Sequence, residues 1–163
     1  MRALLPAILI LWSAPLLAQD TSADVRSLRR LHNELLEAHR TGDVERWMSL
    51  ESREYVSANG GRVTFPEFSD RRAQRAVYLA GATFEVYRDL REPLVRVSED
   101  GSLGWLIAEV EVRGSSASSS GESEPIHDIW AWVELYEKVE GAWRLVGNVS
   151  NRRQGPAAEI ESR

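Results

Sequence analysis

Cysteine is absent from the 163 residues. Its absence excludes disulfides, thiolate zinc sites, iron–sulfur clusters and cysteine nucleophiles. Lysine occurs once, histidine three times and methionine twice. Long apolar runs are also missing, apart from one at the start. Residues 3–18 form a 16-residue stretch that holds Pro6 and Pro15. A membrane span needs about 20 apolar residues, so this stretch is too short. No G-x-S-x-G, H-E-x-x-H, phosphate-binding loop or dinucleotide fingerprint is present. A hydrophobic content of 43% fits one globular domain and excludes a disordered chain or a tandem of large domains.

What is present begins with a leader pattern. Met1-Arg2 supplies a short basic region, an apolar stretch follows, and Ala18 is a small residue before Gln19-Asp20. This is the layout of a secretory signal peptide over residues 1–18. The expected mature domain covers residues 19–151, with a polar tail over 152–163. Such a protein is exported to the periplasm or the outside and carries no membrane span in mature form. Removal of Arg2 with the leader takes the net charge from −5 to −6. That sign argues against nucleic acid as a partner. A mature chain of this length can build a core without crosslinks.

Val25, Leu28, Leu35 and Leu36 make one helical stripe, which opens near Thr21-Ser22 and stops at Thr41-Gly42. Asp43 is placed to cap a second, short helix carrying Val44, Trp47 and Met48. A short strand over 54–58 follows, then the turn signal Asn59-Gly60-Gly61. Thr64-Phe65-Pro66-Glu67 reads as a capping box opening a helix that reaches about Leu79. From there the period changes to two. Strands are expected over 83–89, 94–98, 106–113, 126–138 and 143–151, with a Ser-rich loop over 114–123. Helices first and a meander afterwards imply an α+β fold, with helices covering one face of a curved antiparallel sheet.

Two stretches resemble the nuclear transport factor 2-like superfamily. One is Ala38-His39-Arg40-Thr41-Gly42-Asp43 followed by Trp47 and Leu50. The other is an aromatic strand, then Glu140-Gly141-Ala142-Trp143-Arg144-Leu145-Val146, then Ser150. The resemblance implies a cone, with the sheet wrapped around the N-terminal helices and a central cavity open at one end. Members include ketosteroid isomerase-like and SnoaL-like polyketide cyclase enzymes, limonene epoxide hydrolase-like enzymes and non-catalytic proteins. Homodimers formed through the outer sheet face are common among them. Fold does not decide function here.

Facing then selects the candidate residues. His32 and His39 fall inside the apolar arc of the first helix, and Arg72 sits on the stripe made by Phe65, Phe68, Ala76 and Leu79. On the long strand, Ile129, Ala131, Val133 and Leu135 form the smoother side, which is expected to face inward together with His127. Trp130, Trp132 and Tyr136 would then lie outside, as the dimer face. The ligand-pocket candidates are His32, His39, Trp47, Tyr55, Arg72 and His127.

These side chains support an acid–base site, in which an imidazole moves a proton and Arg72 steadies an anion. They more strongly support packed core histidines and an Arg72 paired with Glu109 or Asp128. His32 and His39 are two helical turns apart, about 10 Å, too far to share a metal ion directly. No metal and no cofactor are implied. Three readings stay open: a cone binding a small apolar or weakly acidic molecule, a SnoaL-like isomerase, cyclase or hydratase, and a non-catalytic dimeric interaction module.

Overall fold

The computed structural model describes residues 21–118 and 121–155. The leader at 1–18 and residues 156–163 of the expected tail lie outside the described residues. Among the described residues, no helix is long and apolar enough to cross a membrane.

Helix α1 (Ser22–Thr41) buries Leu28, Leu35 and Leu36 together with His32 and His39. It ends in a Schellman motif. Gly42 adopts φ 70°, its N–H reaches His39 O at 3.2 Å, and the Asp43 N–H reaches Ala38 O at 2.9 Å. Asp43 then caps α2 (Val44–Leu50) by accepting from the Arg46 N–H at 2.9 Å. The turn expected from Gly42-Asp43 is therefore formed, and it folds α2 back beside α1. Asp24 in the first turn of α1 accepts from Trp143 Nε1 at 2.8 Å and from Lys138 Nζ at 3.0 Å, which ties the helix to the sheet.

The remaining elements are β1 (Glu51–Asn59), β2 (Arg62–Thr64), α3 (Phe68–Ala80), β3 (Ala82–Asp89), β4 (Leu94–Val97), β5 (Leu103–Ala117), β6 (Ser123–Val139) and β7 (Ala142–Gln154). The sheet runs β2-β1-β7-β6-β5-β3, with β4 also paired to β5. It is mixed rather than wholly antiparallel, because β1 lies parallel to β7. The chain between β1 and β7, which contains α3 and strands β2 to β6, supplies the crossover that a parallel pair needs. Strands β5 and β6 extend into the Ser-rich stretch, and β7 runs three residues past Asn151.

The inward face of the sheet meets α1. Val95, Leu106, Ala108, Val110, Val112, Trp132, Tyr136, Trp143 and Leu145 pack with Leu28, Leu35 and Leu36. This corrects the expected facing of β6. Trp130, Trp132, Glu134 and Tyr136 point in, and Ala131, Val133 and Leu135 point out. Trp132 and Tyr136 are buried in the single chain, so they and Trp130 are not an outer dimer face. His127 is on the outer side, beside Glu111 at 3.5 Å.

The third helix also differs in phase. It starts at Phe68, with Thr64 in β2 and no side-chain cap bond at Glu67. Its buried residues are Arg71 and Leu79, while Phe65 and Arg72 are exposed.

Gly114 lies where β3 crosses β5 beside a bulge between Phe84 and Val86. A Cβ there would sit 1.9 Å from Thr83 O, a backbone atom. Gly114→Ala should therefore lower stability by about 1–3 kcal/mol or more, because overpacking must displace the strand. The urea midpoint reads this directly. An unchanged midpoint would contradict the close approach.

Candidate functional site

A cavity of about 520 Å³ opens between α2, α3 and the inward face of β1, β6 and β7. This lies inside the range of small-molecule sites, roughly 300–1,000 Å³. Its lining is aromatic: Trp47 from α2, Tyr55 from β1, Tyr78 from α3, Tyr87 from β3, and Trp130 and Trp132 from β6. Ser57, Gln74, Asn148 and Ser150 add neutral hydrogen-bonding groups, and Arg71 and Arg75 add charge. Burial raises the Tyr55 and Tyr87 hydroxyls above the ordinary value, so both stay protonated.

One wall is organised by Glu51, whose side chain has no exposed surface. The spacing Trp47–Glu51 places both at the end of α2. Trp47 Nε1 donates to Glu51 Oε1 at 2.9 Å. Arg71 Nε donates to Oε2 at 3.0 Å, and Arg75 Nε to Oε1 at 3.0 Å. Arg71 spends its remaining N–H groups on Ser52 O at 2.6 Å, Pro66 O at 2.8 Å and Arg53 O at 3.3 Å. Its guanidinium also lies 4.8 Å from the Tyr55 ring centroid. This full set of acceptors is what allows Arg71 to be buried, and it explains why α3 turns Arg71 inward and leaves Arg72 to pair with Glu45 on the surface.

His39 closes the wall toward α1. Its ring stacks between Trp47, with centroids 3.8 Å apart, and Tyr87 at 4.6 Å. Nδ1–H donates to Leu35 O at 2.7 Å, which assigns the tautomer and leaves Nε2 as an acceptor. Burial pushes this imidazole down to about 4, and the Arg75 charge works in the same direction.

Beneath the aromatic layer lies a second charged group. His32 is 1% exposed and bridges two acids: Nδ1 contacts Glu134 Oε1 at 2.9 Å, and Nε2 contacts Asp89 Oδ1 at 3.0 Å. Glu134 also accepts from Trp132 Nε1 at 2.9 Å and from the Tyr136 hydroxyl at 2.6 Å. Burial by itself would depress the His32 imidazole, but Glu134 and Asp89 together outweigh it and raise the group to about 10. The ring is an imidazolium with both N–H groups donating, so it has no lone pair for a metal. Among the described residues, no group of acids and histidines is arranged to hold a metal ion.

Of the six pocket candidates, His39, Trp47 and Tyr55 line the cavity. His32 lies under it, in the triad. Arg72 and His127 are elsewhere, for the reasons of helix phase and strand facing given above. The residues missed are Glu51, Arg71, Arg75, Glu134, Tyr78 and Tyr87. The i,i+4 pairs Trp47–Glu51 and Arg71–Arg75 are the signal that could have found the first three.

No protein-family model matches the chain, and no curated protein matches its sequence. Solved structures do match. A ketosteroid isomerase-like protein from Erwinia carotovora atroseptica superposes with TM-score 0.65 at 12% identity, covering 82% of this chain and 99% of that one. An NTF2-like protein from Cytophaga hutchinsonii gives TM-score 0.63 at 13% identity, covering 81% and 98%. An NTF2-like protein of unknown function from Pseudomonas putida KT2440 gives 0.62 at 14%, covering 80% and 87%. The class is an α+β cone, and the fold is the one seen in these ketosteroid isomerase-like and NTF2-like structures.

The two histidines bend the pH profile of stability in opposite directions. His32 has a raised pKa, so its contribution is complete below pH 6.5 and is lost as the pH rises toward about 10. His39 has a depressed pKa, so its contribution is present above pH 6.5 and is lost as the pH falls toward about 4. Urea unfolding should show stability falling away on both sides of pH 6.5. His32→Gln should cost about 3–5 kcal/mol by stranding buried Glu134, and should flatten the alkaline limb. His39→Phe should reduce the acid limb alone. A wild-type profile that is flat above pH 6.5 would contradict the charged triad.

Proposed function

We propose that the protein is an exported cone that binds a small apolar or weakly acidic molecule in its cavity, without catalysis, and that it works as a homodimer. The observation that carries the binding reading is the aromatic cavity, beside which Nε2 of His39 and Nη1 of Arg75 have no hydrogen-bond partner among the described residues. Every cation and acid around the cavity is otherwise committed to a neighbour. Glu51 serves Arg71, Arg75 and Trp47, and Glu134 and Asp89 serve His32. An acid–base reaction of the isomerase or cyclase kind would fall to His39. Its pKa near 4 is far below the value at which a general base is effective at neutral pH.

The dimer reading rests on the outer sheet face. Leu94, Ile107, Val133, Val149, Ala58 and Val63 stand in register across β4, β5, β6, β7, β1 and β2. Leu94, Ile107, Val149 and Val63 are exposed. A second copy laid on the same row would bury it as a self-complementary interface. Export rests on the leader pattern of residues 1–18.

Native mass spectrometry of the protein taken from its own host should find a small molecule that departs on denaturation. A bare protein that also gives no thermal-shift response across a broad compound set would sink the binding reading. The same preparation should begin at Gln19 and sediment as a dimer, and Ile107→Glu should sediment as a monomer. An intact Met1 contradicts export, and a monomeric wild type contradicts the dimer.

A further inference from the structure

Arg75 is the open cation of the cavity. Its Nε and Nη2 both donate to Glu51 Oε1. Its guanidinium lies 4.3 Å from the Trp47 ring centroid and 5.5 Å from that of Tyr55, so its charge rests against two aromatic rings. Nη1 has no hydrogen-bond partner among the described residues and is not fully buried, and Arg75 lines the cavity. Arg71 is different, since all three of its nitrogens are engaged.

The charges at this wall do not cancel. One carboxylate, Glu51, faces two guanidinium groups. The Glu51 side chain has no exposed surface and the Arg75 side chain is 15% exposed, so water screens the surplus weakly. No Asp or Glu is among the residues lining the cavity. His39 contributes an acceptor rather than a second cation. The rest of the wall is aromatic surface from Tyr55, Tyr87, Trp130 and Trp132.

We infer that the cavity selects aromatic carboxylates, with the carboxylate accepting from Arg75 Nη1 and the ring packed among Tyr55, Tyr87 and Trp130. This rests on the cavity being the binding site, and it names the ligand class. A planar carboxylate suits the guanidinium, and the bond is charge-assisted on both sides. A flat ring suits walls that offer offset and edge contacts. A neutral ligand of the same shape keeps the aromatic contacts but leaves the surplus charge unanswered.

The test uses the full chain and a pair of probes of matched shape, 2-naphthoate and 2-naphthamide, in isothermal titration calorimetry at pH 7. The wild type should bind naphthoate at least about tenfold more tightly than the amide. Arg75→Gln should erase that preference, and Arg72→Gln, altered on the surface, should keep it. Equal binding of the two probes by the wild type would overturn the carboxylate inference and leave the cavity reading standing. Binding of neither would overturn both. The wild-type comparison decides even if Arg75→Gln does not fold.

Discussion

The Glu134 carboxylate is the constraint on which the rest of the cone depends. It has no exposed surface, yet it sits in the middle of the longest strand. An unpaired carboxylate in that position would be very costly. It is tolerated because three donors converge on it: the His32 imidazolium from α1, the Trp132 indole and the Tyr136 hydroxyl. His32 in turn reaches Asp89 at the end of β3. One buried charge thus joins the first helix to two strands and orients β6. With Glu134 inward, Trp130, Trp132 and Tyr136 must follow, and the cavity acquires its aromatic wall.

A second acid repeats this logic at the other side of the cavity. Glu51 collects Arg71, Arg75 and Trp47, and so connects α2, α3 and β1. The two groups differ in balance. His32 faces two acids, whereas Glu51 faces two guanidiniums. The cavity therefore lies between a deep group with surplus negative charge and a wall with surplus positive charge. Aromatic rings separate them. Such a site orients a polar ligand as well as enclosing it, which is the physical content of the functional reading.

Much of the fold was legible in the residues. Gly42-Asp43 stated the helix turn, because glycine suits the left-handed cap and aspartate suits the next N-cap. The switch from helical period to period two marked where the sheet begins. The parallel placement of β1 beside β7 was not legible, since local pattern carries no information on which distant strand is the neighbour. The facing of β6 was misread because both of its sides carry large apolar residues. Glu134 turns inward because His32 on α1, together with Trp132 and Tyr136 on its own strand, supplies donors, an arrangement no periodicity displays. The phase of α3 failed in the same way: Arg71 is buried by acceptors contributed by residues 51–53 and Pro66, while Phe65 is left outside. For the site, His39, Trp47 and Tyr55 could be read from the sequence, whereas Trp130 and Trp132 were placed on the wrong face and the charged residues that give the site a preference could not be read.

His32, as a buried imidazolium, neutralises Glu134 and thereby fixes which face of β6 looks inward. Nitrogen-15 NMR of the histidine rings at pH 8 tests this most directly. His32 should carry protons on both ring nitrogens, and His39 should carry one, on Nδ1. A neutral His32 ring at that pH would contradict the buried imidazolium.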